Sequence, residues 1–309
     1  MTTSRYRPPL NRNRAFMALW TGQLTSALGS SMSTLAFKLV TLAVTGSART
    51  AGLVGGAGAL GAFLVGPFTG VLADRVSRRR MIVVGNLVGA MLFGALAVAG
   101  LAHALAGPLL LVIALLSGMS STVVSPALSA AVRTVVPGSQ RAQASAYASG
   151  RADAVSLVAP PAGGALIPLG YGIPFLAAAV SYVVAAASVL LVRHPLTAPE
   201  RERRPFWHEM GEGFAFLGRH TTLMAFLVRS ATFNLGVSTV TTATALRLAD
   251  RGVPTAQIGM VDTIAAAGGP LGATIAVRVV NRVRTGVFSV VTSTVLGALF
   301  ALTALSGSP

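Results

Sequence analysis

Five charged side chains, Lys38, Arg151, Asp153, Arg229 and Asp262, interrupt long apolar stretches of this chain. A charge in such a setting is costly and is retained where it faces a cavity, meets a partner or handles a proton. Asp153 is the first candidate for proton binding. A carboxylate that alternates between an apolar and a hydrated setting takes up and releases a proton; a fixed ion pair with an arginine of another helix is the alternative. Arg151 and Asp153 stand two residues apart, so on a helix their side chains diverge and seek different partners. Asp262 has a similar choice, with Gln257 and Gly259 nearby pointing to a hydrated place towards a helix end as the alternative. Arg229 could attract an anionic ligand or compensate Asp153. Lys38, the only lysine, is expected to face a cavity unless its stem carries the ammonium to an interface.

A second group of residues could shape rather than react. Ala159-Pro160-Pro161-Ala162-Gly163-Gly164 combines two prolines, which remove helix hydrogen bonds, with small neighbours that allow close packing. Such a segment can form a kinked seal against another helix. Its expected counterpart is Ala265 to Gly272, with Gly268, Gly269 and Pro270 at its centre. Gly52, Gly55, Gly56 and Gly58 read as packing positions. His103, His194, His208 and His220 are dispersed, without the His-Glu-x-x-His spacing of a zinc site, and no glycine-rich stretch ends in the Gly-Lys-Ser/Thr of a phosphate loop. Enzyme chemistry, ATP-driven chemistry and a cofactor are therefore not expected.

The elements that must position these residues are membrane helices. Of 309 residues 53% are hydrophobic and 10% charged, and the mean hydropathy is +0.71, far from a soluble domain with roughly a quarter of its residues charged. A helix needs about 20 apolar residues to cross the hydrocarbon core. Apolar segments run approximately over 15–44, 50–73, 81–102, 107–131, 143–166, 172–192, 219–245, 256–278 and 286–306. The first is long enough to include an interfacial turn and too long for the core of a signal peptide. The absence of cysteine excludes disulfides. The fold class expected is an all-α polytopic membrane protein.

The net charge of +16 is distributed in clusters between the spans, which argues against nucleic-acid binding. Arg5 to Arg14, Arg75 to Arg80, Arg133 with Arg141, Arg193 to Arg219, and Arg278 to Arg284 fall on alternate loops, while the opposite loops carry only Arg49, Arg247 and Arg251. That asymmetry predicts a multi-pass protein of the plasma (inner) membrane with a cytoplasmic N-terminus, its basic loops touching anionic membrane lipids. Residues 193–218 are polar and proline-bearing, then turn to Phe206-Trp207. They predict a cytoplasmic linker with an interfacial segment, between a six-helix half (1–192) and a shorter second part (219–309).

Between the second and third spans lies Gly70-Val71-Leu72-Ala73-Asp74-Arg75-Val76-Ser77-Arg78-Arg79-Arg80. Asp74 could cap the next helix or pair with neighbouring arginines, while Arg75 and Arg78 to Arg80 could equally be topology anchors. This stretch resembles the loop signature of the major facilitator superfamily. Leu19-Trp20-Thr21-Gly22-Gln23, Ser125-Pro126-Ala127-Leu128, Glu212-Gly213 and Phe233-Asn234-Leu235-Gly236 resemble its drug and siderophore exporters, the enterobactin-exporter-like group. The resemblance implies two six-helix halves rocking about a central cavity and exchanging a small molecule against protons. It implies a conformational latch at Asp74, Arg75 and Arg78, and a gating role for Pro160 to Gly164. It also implies twelve helices, of which about nine are expected here, so the chain resembles one shortened at its C-terminus. Ser30, Asn86 and Gly89 depart from positions where that group usually carries charge. The reading is a proton-coupled exporter of amphipathic molecules, lipophilic drugs or siderophores, with a mostly apolar cavity. The alternative is a non-transporting fragment or scaffold that needs a partner chain to complete its fold.

Overall fold

The computed structural model describes residues 9–192, 196 and 206–280, together with 291, 294–295 and 297–298. The expected linker at 193–205, apart from Leu196, and most of the expected span at 286–306 lie outside the described residues. Within them the chain is helical, with nine α-helices and no strand: α1 (Arg14–Thr45), α2 (Ala48–Arg75), α3 (Arg78–Leu101), α4 (Gly107–Val135), α5 (Arg141–Leu166), α6 (Ile173–Leu190), α7 (Phe206–Arg219), α8 (Thr221–Asp250) and α9 (Thr255–Val280). Seven of them, α1 to α6 and α8, are long and apolar enough to cross a membrane. The 14-residue α7 is amphipathic in composition, which suits the interface, and His208 and Glu212 share one face, 3.4 Å apart.

The first segment corrects the expectation of an interfacial turn. α1 runs unbroken for 32 residues, about 48 Å at 1.5 Å per residue against a hydrocarbon core of about 30 Å. Its ends are set locally: the Asn13 side chain accepts a hydrogen bond from the Phe16 amide (3.1 Å), and Gly46 adopts the left-handed conformation (φ 61°) that stops the helix. Ser47 then caps α2 by accepting from the Thr50 amide at 3.2 Å. The stretch expected as a loop around Asp74 is also mostly helical. α2 continues through Arg75 and α3 begins at Arg78, leaving Val76 and Ser77 as the connection.

Helices α1 to α6 form one packed group. α2 lies on α4, and α3 and α1 both lie on α6. The small residues at these crossings are required by close approach: a Cβ on Gly118 would run into the Gly58 carbonyl, and one on Gly100 would meet the backbone of Gly172. One buried cluster, including Phe37, Phe93, Phe175 and Tyr182, lies towards the end of the bundle bearing the α1–α2 and α5–α6 connections; a second, including Phe16, Leu19, Ile82 and Val189, lies towards the end bearing Arg78 and Arg133. Among the described residues, α8 and α9 join the group at the first end. Ala245, Leu246 and Ile258 are buried there, whereas α8 from Thr221 to Leu235 is exposed throughout.

Candidate functional site

The group of six and the pair α8–α9 meet along α5 and α9. Pro160 and Gly164 are buried, and the backbone of α9 comes onto them so closely that a Cβ on Gly259 would strike the Pro160 carbonyl and one on Gly164 the Thr255 carbonyl. Two hydroxyls cross the seam: Thr255 Oγ1 donates to the Gly164 carbonyl at 2.7 Å, and Thr263 Oγ1 to the Leu157 carbonyl at 2.9 Å. Prolines leave carbonyls of the preceding turn without helical donors, and small residues let hydroxyls reach such backbone groups. Gly163 turns instead towards α1, where a Cβ would stand 2.8 Å from the Met32 carbonyl oxygen.

The seam corrects the expected counterpart of the proline segment. It uses Thr255 to Thr263, while a Cβ on Gly268 or Gly269 would meet open space; the side chain of Pro270 lies outside the described set. Sequence reading weighted glycine density and missed Gly259 and the two threonines. Their spacing of four residues along one face of α9, 255, 259 and 263, is the signal that identifies the seam.

Lys38 and Asp262 come together at the same closed end. Lys38 is 7% exposed on α1; its stem runs past Gly55 of α2, close to Thr242 of α8. Asp262, half-buried on α9, lies near enough for each to feel the other's charge, although no described ion pair joins them within 4.0 Å. A basic residue of the first helix group thus faces an acidic residue of the second across their contact.

At the other end of the bundle a cavity of 540 Å³ opens among α1, α3, α4, α5 and α6. Its exposed wall is more apolar than polar, as expected, but polar and charged groups are set into it at many points. Eight serines line it, among them Ser117, Ser121, Ser125 and Ser129 in a four-residue ladder along α4 and Ser26 and Ser30 on α1, with Arg133, Arg141 and Arg151 and no carboxylate among its lining residues. Averaged hydropathy hides a serine ladder because the outward residues of α4, such as Leu111 and Val112, are apolar. Ser30, Asn86 and Gly89, singled out as unusual in the sequence, are all in this wall. A smaller cavity of 290 Å³ shares Ser30, Ser117, Ser121 and Tyr182 with it and runs on to Gly55 beside Lys38.

The remaining candidates are spread out. Arg151 contributes to the cavity wall, and its Nε and one Nη are buried without a hydrogen-bond partner among the described residues. Asp153 is half-buried on α5 with no ion pair among the described residues, and its backbone carbonyl accepts from Ser156 Oγ at 2.8 Å. Arg229 is exposed on α8, its guanidinium 5.9 Å from the Phe226 ring centre, away from both cavities. Asp74 and Arg75 form the last turn of α2, their side chains outside the described set, while Arg78 Nη1 donates to Thr134 Oγ1 at 2.8 Å and ties α3 to the end of α4. Among the described residues no cluster of histidines and carboxylates could hold a metal ion.

Long apolar helices around an interior cavity lined in part by serine and arginine define a polytopic helical membrane protein. The chain belongs to the Major Facilitator Superfamily, whose profile matches residues 19–309, a family of transporters rather than enzymes. It is similar to the Multidrug resistance protein 2 of Bacillus subtilis (strain 168), 27% identical over 161 residues that make up 51% of this chain and 38% of that protein. It is also similar to the Macrolide efflux protein A of Streptococcus pyogenes, 26% identical over 220 residues, 69% of this chain and 53% of that one. The chain thus spans about half the length, or less, of these curated relatives. The fold is that of a bacterial homolog of the human lysosomal transporter Spinster, solved in an inward-facing and unoccupied conformation: TM-score 0.67, 17% identity, covering 88% of this chain and 64% of that one.

Proposed function

We propose that this protein is a secondary active exporter that moves amphipathic small molecules against a flow of protons by alternating access. The single observation that carries this reading is the contrast between the ends of the bundle. One end is sealed by α5 against α9 beside Lys38 and Asp262, and the other opens through a cavity bearing serines and arginines. With Asp262 ionised, its attraction for Lys38 holds the seal shut; a proton taken up from the outer side removes that attraction and lets α9 part from α5, and its later release towards the cytoplasmic cavity restores the attraction and the seal. Asp74, Arg75 and Arg78 then latch the arginine-rich end when it closes in turn. The arginine-rich end faces the cytoplasm, as the positive-inside rule requires. Efflux as the direction is supported by the printed names of the two relatives, and a siderophore is a substrate candidate beside drugs.

Asp262 carries the coupling in this reading. Arg151 acts from the cavity wall, while Asp153 and Arg229, which line neither cavity, are secondary candidates for charge compensation. A second reading, a scaffold completed by another chain, is favoured by the uncovered apolar residues of α2 (Leu60, Phe63, Leu64) and α8 (Phe226, Leu227, Leu235). The test is accumulation of fluorescent amphiphiles of cationic, neutral and anionic charge in cells expressing the chain, with and without a protonophore, beside Asp262→Asn. Lowered accumulation of any of them, restored by protonophore and by the substitution, is the expected result. Unchanged accumulation of all three with the protein confirmed in the membrane would sink the exporter reading and leave the scaffold.

A further inference from the structure

We infer that the 540 Å³ cavity is a binding site for an amphipathic organic anion, a compact apolar body bearing a carboxylate or phosphate group. This rests on the exporter reading and names the class of its substrate.

Three cations from two helices, Arg133 of α4 with Arg141 and Arg151 of α5, converge on one space with no carboxylate in its wall among the described residues. Arg133 and Arg141 are exposed at the mouth and Arg151 is half-buried deeper in, so positive charge follows the path inwards. A guanidinium normally spends its donors on a carboxylate, a carbonyl or water, and a buried donor left unpaired is costly. Arg151 has two such donors, Nε and one Nη, without a partner among the described residues. An anionic acceptor in the cavity would satisfy them. Ser117, Ser120 and Ser121 already donate to backbone carbonyls, so on α4 it is Ser125 and Ser129 whose hydroxyls can donate to its oxygens, and Val124, Leu128 and Val132 with Tyr182 offer apolar contact to its body. The volume is in the range of small-molecule sites, about 300–1,000 Å³. A cation of the same shape would be repelled by all three arginines and would meet no counter-charge among the described lining residues.

The purified protein in phosphatidylcholine nanodiscs is dialysed to equilibrium against 2-naphthoate and, separately, its neutral isostere 2-naphthamide, with empty nanodiscs subtracted. The expected result is a preference for the anion of about tenfold or more, the worth of a charge-assisted hydrogen bond, weakened by added salt. Arg151→Gln is expected to abolish the preference and Arg151→Lys to restore part of it. Arg133→Gln, at an exposed position, should lower it and keeps the test decisive if the Arg151 variants do not fold. Equal binding of the two probes, or a preference untouched by both neutral variants, would overturn the inference. Repeating the dialysis in phosphatidylglycerol nanodiscs separates the sources of the anion: displacement of naphthoate identifies a lipid headgroup as the occupant, and undiminished binding identifies a soluble molecule. Because dialysis needs no gradient and no turnover, its failure is distinct from the failure of export.

Discussion

Lys38 and Asp262 were each legible in the sequence as a charge inside an apolar span, but their proximity was not. It arises because α9 crosses α5 with its Gly259 face inwards, which carries Asp262 round to α1, and nothing local encodes that crossing. The proximity has an energetic consequence. Removing either charge strands the other in a poorly hydrated place, whereas removing both does not. Lys38→Met and Asp262→Asn should therefore each lower the melting temperature in detergent, and the double variant should be less damaged than the sum predicts, with a coupling of about 0.5–3 kcal/mol. Strict additivity would show that the two charges do not interact. Arg151 and the α4 serines were similarly visible as residues, while the cavity that joins them required the bundle.

Helix existence was read well from the apolar runs, because long membrane helices leave a strong compositional signal. What could not be read was which small residue meets which neighbour. Gly56 and Gly58 sit two apart in the same glycine-rich stretch of α2, yet a Cβ at Gly56 meets open space while Gly58 packs against α4. Gly118→Leu, which drives a side chain into Gly58, should destabilise the protein by about 1–3 kcal/mol or displace α4. Gly56→Leu should be nearly neutral. Thermal unfolding of the two variants compares them directly, and equal effects would contradict the α2–α4 crossing. At the seam, Thr263→Val removes one interhelical hydrogen bond and should cost about 0.6 kcal/mol, a typical value for such bonds in membrane bundles. If the seam is also the seal, the same substitution raises the opening rate; amide exchange at Leu157 to Gly164 faster than in the parent protein checks this.

On the scale of the whole molecule, arginine placement predicts an orientation and helix packing supplies two unlike ends, and the two properties coincide: the open cavity lies at the arginine-rich end. The native chain has no cysteine, so single cysteines report cleanly. In intact cells a membrane-impermeant maleimide should label Leu169→Cys, at the sealed end, and spare Ser139→Cys between α4 and α5; the reverse pattern would invert the topology. The most direct test of alternating access places nitroxide pairs at both ends, on Leu169→Cys with Arg251→Cys at the sealed end and on Ser145→Cys with Leu223→Cys at the open end, and measures both distances by double electron–electron resonance as the pH is lowered. The account predicts that the first distance lengthens while the second shortens, and that Asp262→Asn shows this shift already at neutral pH. Distances that stay fixed, or that move in the same sense at both ends, would contradict it.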